Sequence, residues 1–484
     1  MADIRGFTAP KLGVGMIFAT ALRPFLERRP DALDLIEVEP QTLWLADDAF
    51  AGPFFEFTPG IEMIAALPGH KLVHSVGMPL GGTRTPDPAQ CALIASTVAR
   101  LGSPWVSEHL SVAGTPHRAS GFLLPPLQTG AGVAMAAANI RSFAAAVARP
   151  VAIETGVAYL ARKAFEMPDG TFVAEVVREA GCGILLDLHN LYCNQRNGRI
   201  RIETFLDQIP LDRVWEVHLA GGGEKDGYWL DSHSGPMPPD LVAMAREILQ
   251  SLPNLGALNF EIYNTFLERM DPSALDGIVD ELRGLWDHAG RTIGDAPPPK
   301  EPLRAGVPPD APSPALWEER LTEAVWKDEP ETHPFDEDGT PLRLYSGLAR
   351  SFRGSMLARA LPRTMRYLLL RDGRGVDDML ARYFKTISPR LYTPLEAGAF
   401  SAWLRPMAGA DAILAGLLDY DMAFLRIVRS GEAQIVRFPG NPAPIFEALA
   451  EARLPPPPVP PEWEVEILPD GFSVPDFAAN QTAS

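Results

Sequence analysis

Eight short apolar runs punctuate the first 290 or so residues: LGVGMIF (12–18), LDLIEVEP (33–40), KLVHSVG (71–77), WVSEHLS (105–111), VAIETG (151–156), GILLDLHN (183–190), VWEVHLAGG (214–222) and ALNFEIYN (257–264). Between most of them lie Ala/Leu/Arg-rich stretches of helical period, such as CALIASTVARLG and GAGVAMAAANIRSFAAAVA. Runs this short suit strands buried on both faces rather than core helices. Eight β–α alternations over this length predict a (β/α)8 barrel, the TIM-type fold. The competing arrangement, an open doubly wound sheet, announces itself by a glycine-rich phosphate loop after its first strand, and none follows residue 18.

The polar residues on these runs fall near their C-terminal ends, which form the catalytic face of such barrels. The third run carries His74, the fourth Glu108 and His109, the fifth Glu154, the sixth Asp187, His189 and Asn190, the seventh Glu216 and His218, and the eighth Glu261. Strand side chains alternate between faces, so Leu185, Asp187 and His189 are expected on one face, and Glu216 with His218 on one face. Glu108 and Glu216 are nevertheless candidates for facing the helices, and Glu37 and Glu39 on the second run stand open as supporting groups or substrate contacts. In the YWLDSHSGP segment, the i, i+2 spacing of Asp231 and His233 lets both reach one site. The preceding Gly221-Gly222-Gly223 run frees that loop to approach.

Burying such groups without partners costs several kcal/mol each. A metal pairs the carboxylates and uses imidazoles as neutral donors. Four strand histidines, the loop histidine, Glu154, Asp187, Asp231 and Glu261 exceed what one ion needs, so two or three ions are expected. Imidazole and carboxylate without thiolate suit iron, manganese or zinc. Of the nine histidines, His70, His117, His288 and His333 lie off the strand ends and read as structural or solvated.

After the barrel, assigned to 1–292, a Pro-rich linker is expected over 293–315 (IGDAPPPKEPLRAGVPPDAPSPA), then a mainly helical domain over 316–452 and a Pro-rich tail over 453–484. Within these, AQIVRF and WEVEIL are candidate strands. The net charge of −18 disfavours a nucleic-acid partner. Cys91, Cys182 and Cys193 are too few for a disulfide framework, which favours a cytoplasmic setting. Neither a signal peptide nor an apolar run of membrane-spanning length is evident, so no membrane partner is expected. Oligomeric state is not legible.

The ordered motifs HSVGMPLGG, SEHLS, IETGVAYL, LLDLHNLYCN, EVHLAGG, DSHSGP and FEIYN resemble those of the multinuclear non-heme iron-dependent oxidative enzymes, which include the methanobactin-type oxazolone-forming enzymes. The resemblance covers roughly residues 12–265. It implies an iron- and dioxygen-dependent oxidation of a residue, with cysteine the first candidate, in a ribosomally synthesised precursor peptide. It implies two or three iron ions with dioxygen as co-substrate, and a role in natural-product biosynthesis. His74, His109 and Glu154 resemble ligands of an iron pair, with Glu154 bridging. Asp187, Asn190, His218 and Glu261 resemble later-strand ligands, and Asp231 and His233 the pair that completes the cluster. His74, Glu154, Asp187 and His218 form the implied catalytic core. The sixth-run donor is His189 or Asn190. LYTPLEAGAFSAWLRP and LLDYDMAFLRIV are similar to the small partner proteins that help present the precursor peptide, here fused in one chain.

Three other readings share parts of this pattern. A metal-dependent phosphodiesterase or endonuclease uses a very similar order of ligands. A sugar isomerase uses the same barrel type. A non-catalytic peptide-binding scaffold would hold its metal structurally.

Overall fold

The computed structural model describes residues 7–46, 53–290, 311–327, 339–409 and 411–469. The eight apolar runs form eight parallel strands: β1 (Gly13–Ile17), β2 (Leu35–Val38), β3 (His70–Ser75), β4 (Val106–His109), β5 (Val151–Glu154), β6 (Gly183–Asp187), β7 (Val214–Ala220) and β8 (Ala257–Glu261). They close into a barrel in which each strand pairs with its sequence neighbour and β1 pairs with β8. Alternation sets the two faces. Val14, Val73, Val106, Ile153, Leu186, Val217 and Phe260 pack outward against the helices. Leu35, Leu72, Ala152, Leu185 and Ala257 close the barrel floor together with Trp105 and Trp215.

The β6–β7 register slips by one residue between Ile184 and Leu185. The extra residue is Trp215, which this irregularity lets join the floor. Its indole needs Gly183: a Cβ there would lie 2.3 Å from Trp215 Cδ2. Gly183→Ala is therefore expected to lower stability by about 1–3 kcal/mol, the usual cost of overpacking, as measured by denaturant unfolding. An unchanged midpoint would refute this packing account.

The sixth run changes from strand to helix before its end. β6 stops at Asp187, and Leu188–Arg196 is a helix whose first turn Asp187 caps, its Oδ1 accepting from Asn190 N at 2.7 Å. His189 therefore does not share a strand face with Leu185 and Asp187, because the side-chain period changes from 2 to 3.6 at the cap.

The helix Gly130–Val147, within the GAGVAMAAANIRSFAAAVA stretch, is long and apolar enough to cross a membrane by composition, against the expectation of no such run; 44% of it is buried. It packs between the helices Pro88–Leu101 and Asp169–Ala180 on the barrel exterior.

Most of the stretch expected as a linker lies outside the described residues. The chain resumes with α1 (Pro314–Lys327), α2 (Thr340–Ala360), α3 (Pro362–Thr386), α4 (Thr393–Ala408), α5 (Ala412–Ser430) and α6 (Ala443–Ala450). RTMRYLLLR and GVDDMLARYF both lie in α3, which kinks at Asp372. The strand Gln434–Phe438 pairs antiparallel with Trp463–Ile467, joining residues assigned to the tail to the helical unit.

That unit sits on the C-terminal rim of the barrel through specific polar contacts. Tyr345 Oη accepts from Tyr159 N at 3.0 Å, and Glu318 on α1 accepts from Thr83 N at 2.8 Å. Tyr392 Oη lies 3.0 Å from Gly77 O and 2.6 Å from Gln90 Oε1. Inside the unit, the buried Arg353–Glu396 pair at 2.8 Å ties α2 to α4. Breaking such a pair costs far more than its net worth, because one buried charge is left alone.

Candidate metal centre

Three overlapping groups of side chains converge at the barrel mouth. In the first, His74 Nε2 lies 3.2 Å and His109 Nε2 3.1 Å from the same atom, Glu154 Oε2. The opposite ring nitrogens are engaged elsewhere: His74 Nδ1 pairs with Ser107 Oγ at 2.9 Å, and His109 Nδ1 with Glu108 Oε1 at 3.2 Å. Glu108 in turn accepts from Ser75 Oγ at 2.6 Å and from Met78 N at 3.0 Å, and it shares the outward face of Val106. Glu154 Oε2, despite its two close nitrogens, has no partner with hydrogen-bond alignment. Partners that orient the far nitrogen and leave the near one aimed at a shared carboxylate oxygen are how proteins prepare histidine ligands.

The second group centres on His218. Its Nδ1 is 2.6 Å from Glu261 Oε1, and its Nε2 is 2.9 Å from Glu37 Oε2. Beneath it, Glu216 accepts from Trp105 Nε1 at 3.0 Å and from Asn259 Nδ2 at 2.9 Å. Glu216 thus faces the barrel interior, not the helices, because the layer above the apolar floor is polar and satisfied. Asp187 falls close by: Glu154, Asp187 and His218 each offer an atom within 4.8 Å of the others, as do Glu37, His218 and Glu261. Asp187 Oδ2, His218 Nδ1 and both Glu37 oxygens are buried without an aligned hydrogen-bond partner.

The third group comes from the loop after β7. His233 Nε2 lies 2.9 Å from Asp231 Oδ1 and 3.0 Å from Glu261 Oε2, so Glu261 faces both His218 and His233. His233 holds a left-handed backbone, φ 43°, a conformation costly for a non-glycine residue and typical of sites where geometry is imposed. The glycine run allows the loop to close. A Cβ on Gly221 would lie 2.3 Å from Ser234 O, and one on Gly222 2.6 Å from His189 Nε2.

His189 is committed on both ring nitrogens: Nδ1 lies 2.8 Å from Asp231 Oδ1, and Nε2 3.4 Å from Trp229 Nε1. Asn190 Nδ2 reaches Glu154 Oε1 at 3.3 Å and Thr155 O at 3.2 Å, while its Oδ1 has no partner. Of the other histidines, His70 and His117 are exposed and His288 bonds Gly284 O at 2.6 Å. His333 lies outside the described residues.

The electrostatics show how heavily the metal-free cluster depends on protons. Burial disfavours the His74 imidazolium, but the adjoining Glu154 carboxylate outweighs it and pushes the pKa up to about 10. His109, His218 and His233 are raised by the same competition of burial against neighbouring carboxylates. Burial and then the Glu216 charge push Glu37 up to about 8. Burial followed by the charges of Asp231 and Glu154 raises Asp187. Burial also raises the Cys193 thiol, whose Sγ is 3.8 Å from His189 Nδ1, so it stays protonated and is a poor ligand.

Glu37 is the member of this cluster that sequence reading left open. Its signal was parity: Glu37 lies two residues beyond the inward-facing Leu35. Above the cluster opens a cavity of about 340 Å3. Glu39, His233, Glu261 and Tyr263 wall it from the barrel, and Phe352, Met356 and Arg359 of α2 wall it from the helical unit.

A parallel eight-stranded barrel whose mouth gathers nitrogen and oxygen donors around shared carboxylates defines a candidate metal-dependent enzyme. The comparisons narrow the class. Residues 13–266 match the family described as RiPP precursor modification enzyme MbnB/TglH/ChrH, RiPP denoting ribosomally synthesised, post-translationally modified peptides. The chain belongs to that family. A UPF0276 protein of Chromobacterium violaceum is 30% identical over 227 residues, 46% of this chain and 82% of that protein. One from Streptomyces avermitilis is 29% identical over 272 residues, so that the chain spans 54% of that relative's length. The solved D-psicose 3-epimerase, crystallised in the presence of D-fructose, overlays with a TM-score of 0.38 at 11% identity, covering 58% of this chain and 99% of that one. Likeness at that level says nothing about the reaction.

Proposed function

We propose that the chain oxidises a residue of a ribosomal precursor peptide, with cysteine the first candidate, using iron and dioxygen. The observation that carries this reading is the sharing of Glu154 by His74 and His109, and of Glu261 by His218 and His233, at distances of 2.6–3.2 Å. Buried acceptors and imidazoles aimed at one another without hydrogen-bond alignment fit cations between them. His74, His109, Glu154, Asp187, Asn190 Oδ1, His218, Asp231, His233 and Glu261 would hold the ions. Iron bound there would supply one-electron oxidation and activation of dioxygen.

The rest of the chemistry belongs to the chain's own residues. Ser107 and Glu108 fix the ring orientations of His74 and His109. Glu37, with Glu216 beside it, holds His218 from behind. His189 acts as a positioning residue: its bond to Asp231 Oδ1 aims that carboxylate at the site. The helical unit walls one side of the cavity above the cluster. This supports a role for it in holding the peptide.

The donor set alone suits iron, manganese or zinc, so metal analysis after anaerobic purification is the test. The expected result is two or three iron ions per chain and a visible absorption band. Zinc alone, accompanied by phosphodiesterase activity, would overturn the proposal in favour of the hydrolytic reading.

A further inference from the structure

We infer that Arg359, contributed by the C-terminal helical unit, is a specificity-determining residue that binds a carboxylate of the substrate within the cavity over the metal centre. This rests on the reading of that cavity as the place where the peptide binds.

Arg359 lies near the end of α2, lines the cavity and remains exposed within it. Among the described residues it forms no hydrogen bond or ion pair, whereas Arg363, the cavity's other arginine, is held 3.4 Å from Asp421 and stacked over Phe424 at 5.0 Å. Among the described residues, Tyr263 and Glu39, both on the barrel side, act electrostatically on Arg359. Glu39 is too far to pair with it, since no ion pair joins them. The cavity therefore presents one uncommitted guanidinium across from the carboxylates that ring the cluster.

A guanidinium in a half-enclosed cavity gains most from an anion that can fill its fork of donors. A single arginine amid Glu39, Glu261 and Asp421 matches a monoanion. A phosphate dianion would need further positive charge in this acidic setting. A peptide offers a monoanion of this shape from two sources, its C-terminal carboxylate or an aspartate or glutamate side chain. Docking it on Arg359 would fix the distance between that carboxylate and the residue presented to His233 and Glu261.

The test uses three thiol-free probes and the purified full chain: dansyl-pentaalanine with a free C-terminus, its C-terminal amide, and the same amide with an aspartate at the fourth position. Binding is read by fluorescence anisotropy, before and after chelator treatment. The free acid, the aspartyl peptide or both should bind about tenfold more tightly than the neutral amide; which of them does so identifies the source of the carboxylate. Arg359→Gln should shrink that preference to less than about twofold, and Arg359→Lys should keep part of it. Because Arg359 makes no internal pair, Arg359→Gln should keep the wild-type melting temperature, which separates loss of binding from loss of fold. Equal binding of all three probes, no binding by any of them, or an acid preference that survives Arg359→Gln would overturn the inference. Absence of iron would sink the oxidative reading yet leave this preference measurable, since the probes carry no thiol and the chelated protein is assayed too.

Discussion

Glu154→Ala should cost the protein its metal and its activity together. Glu154 Oε2 is the one atom approached by both His74 and His109, and its other oxygen receives Asn190 Nδ2. Removing the carboxylate takes away the shared anion and leaves two neutral imidazoles facing each other across rings 5.0 Å apart. Loss of groups that merely orient a ligand already costs about 10–100-fold in metal affinity, so loss of this shared donor should exceed the upper figure. His74→Ala should follow the same course. His117→Ala, at an exposed position on the hairpin after β4, is the control and should change neither quantity. The measurement is metal content by elemental analysis alongside turnover of a precursor peptide. A Glu154→Ala protein with full metal content and full activity would remove Glu154 from the site altogether. A protein that keeps metal but loses turnover would reduce its part to positioning.

The order of strands and the residues at their ends were readable because a strand buried on both faces has a nearly continuous apolar run, and a polar residue at its end stands out. Where the reading failed, one residue served two structures. Asp187 ends β6 and caps the following helix, so extending the period-2 pattern to His189 was wrong by physics that begins one residue earlier. Glu216 was a candidate for facing the helices by parity with its neighbours; Trp105 Nε1, just before β4, and Asn259 Nδ2, on β8, supply the donors that make it stable in the interior. Neither donor is near Glu216 in sequence. The cavity was illegible for the same reason, since its walls meet only through contacts such as Tyr392 with Gly77, 315 residues apart. The glycines of the Gly221-Gly222-Gly223 run, by contrast, were a weak signal that proved specific: two of them leave no room for a side chain beside the Asp231–His233 loop.

Metal-free protein should lose stability as the pH rises from about 5 to 10, and metal should abolish most of that loss. His74 keeps its proton in the folded state up to a pKa of about 10, against 6.5 when free. Its contribution is fully present below pH 6.5 and fades as the pH rises through about 10. His218 and His233 are shifted the same way by their carboxylates, against the effect of burial. Glu37 adds to the trend at lower pH: raised from 4.5 to about 8 by burial and by Glu216, it also leaves the folded state holding a proton that the unfolded chain releases. Where the folded state binds more protons, stability falls as pH rises. On the acid side the order reverses. Glu154 and Glu261, each opposed by burial but dominated by neighbouring histidines, are lowered and lose their stabilising interactions when protonated. The melting temperature of chelator-treated protein should therefore peak on the acid side of neutrality. Metal ions replace the protons between the imidazoles and carboxylates, so their affinity should rise with pH, up to about tenfold per unit for each proton displaced, and the loaded protein's melting curve should be flatter over the same range. Parallel pH profiles for stripped and loaded protein would show that these histidines and carboxylates do not hold the ions.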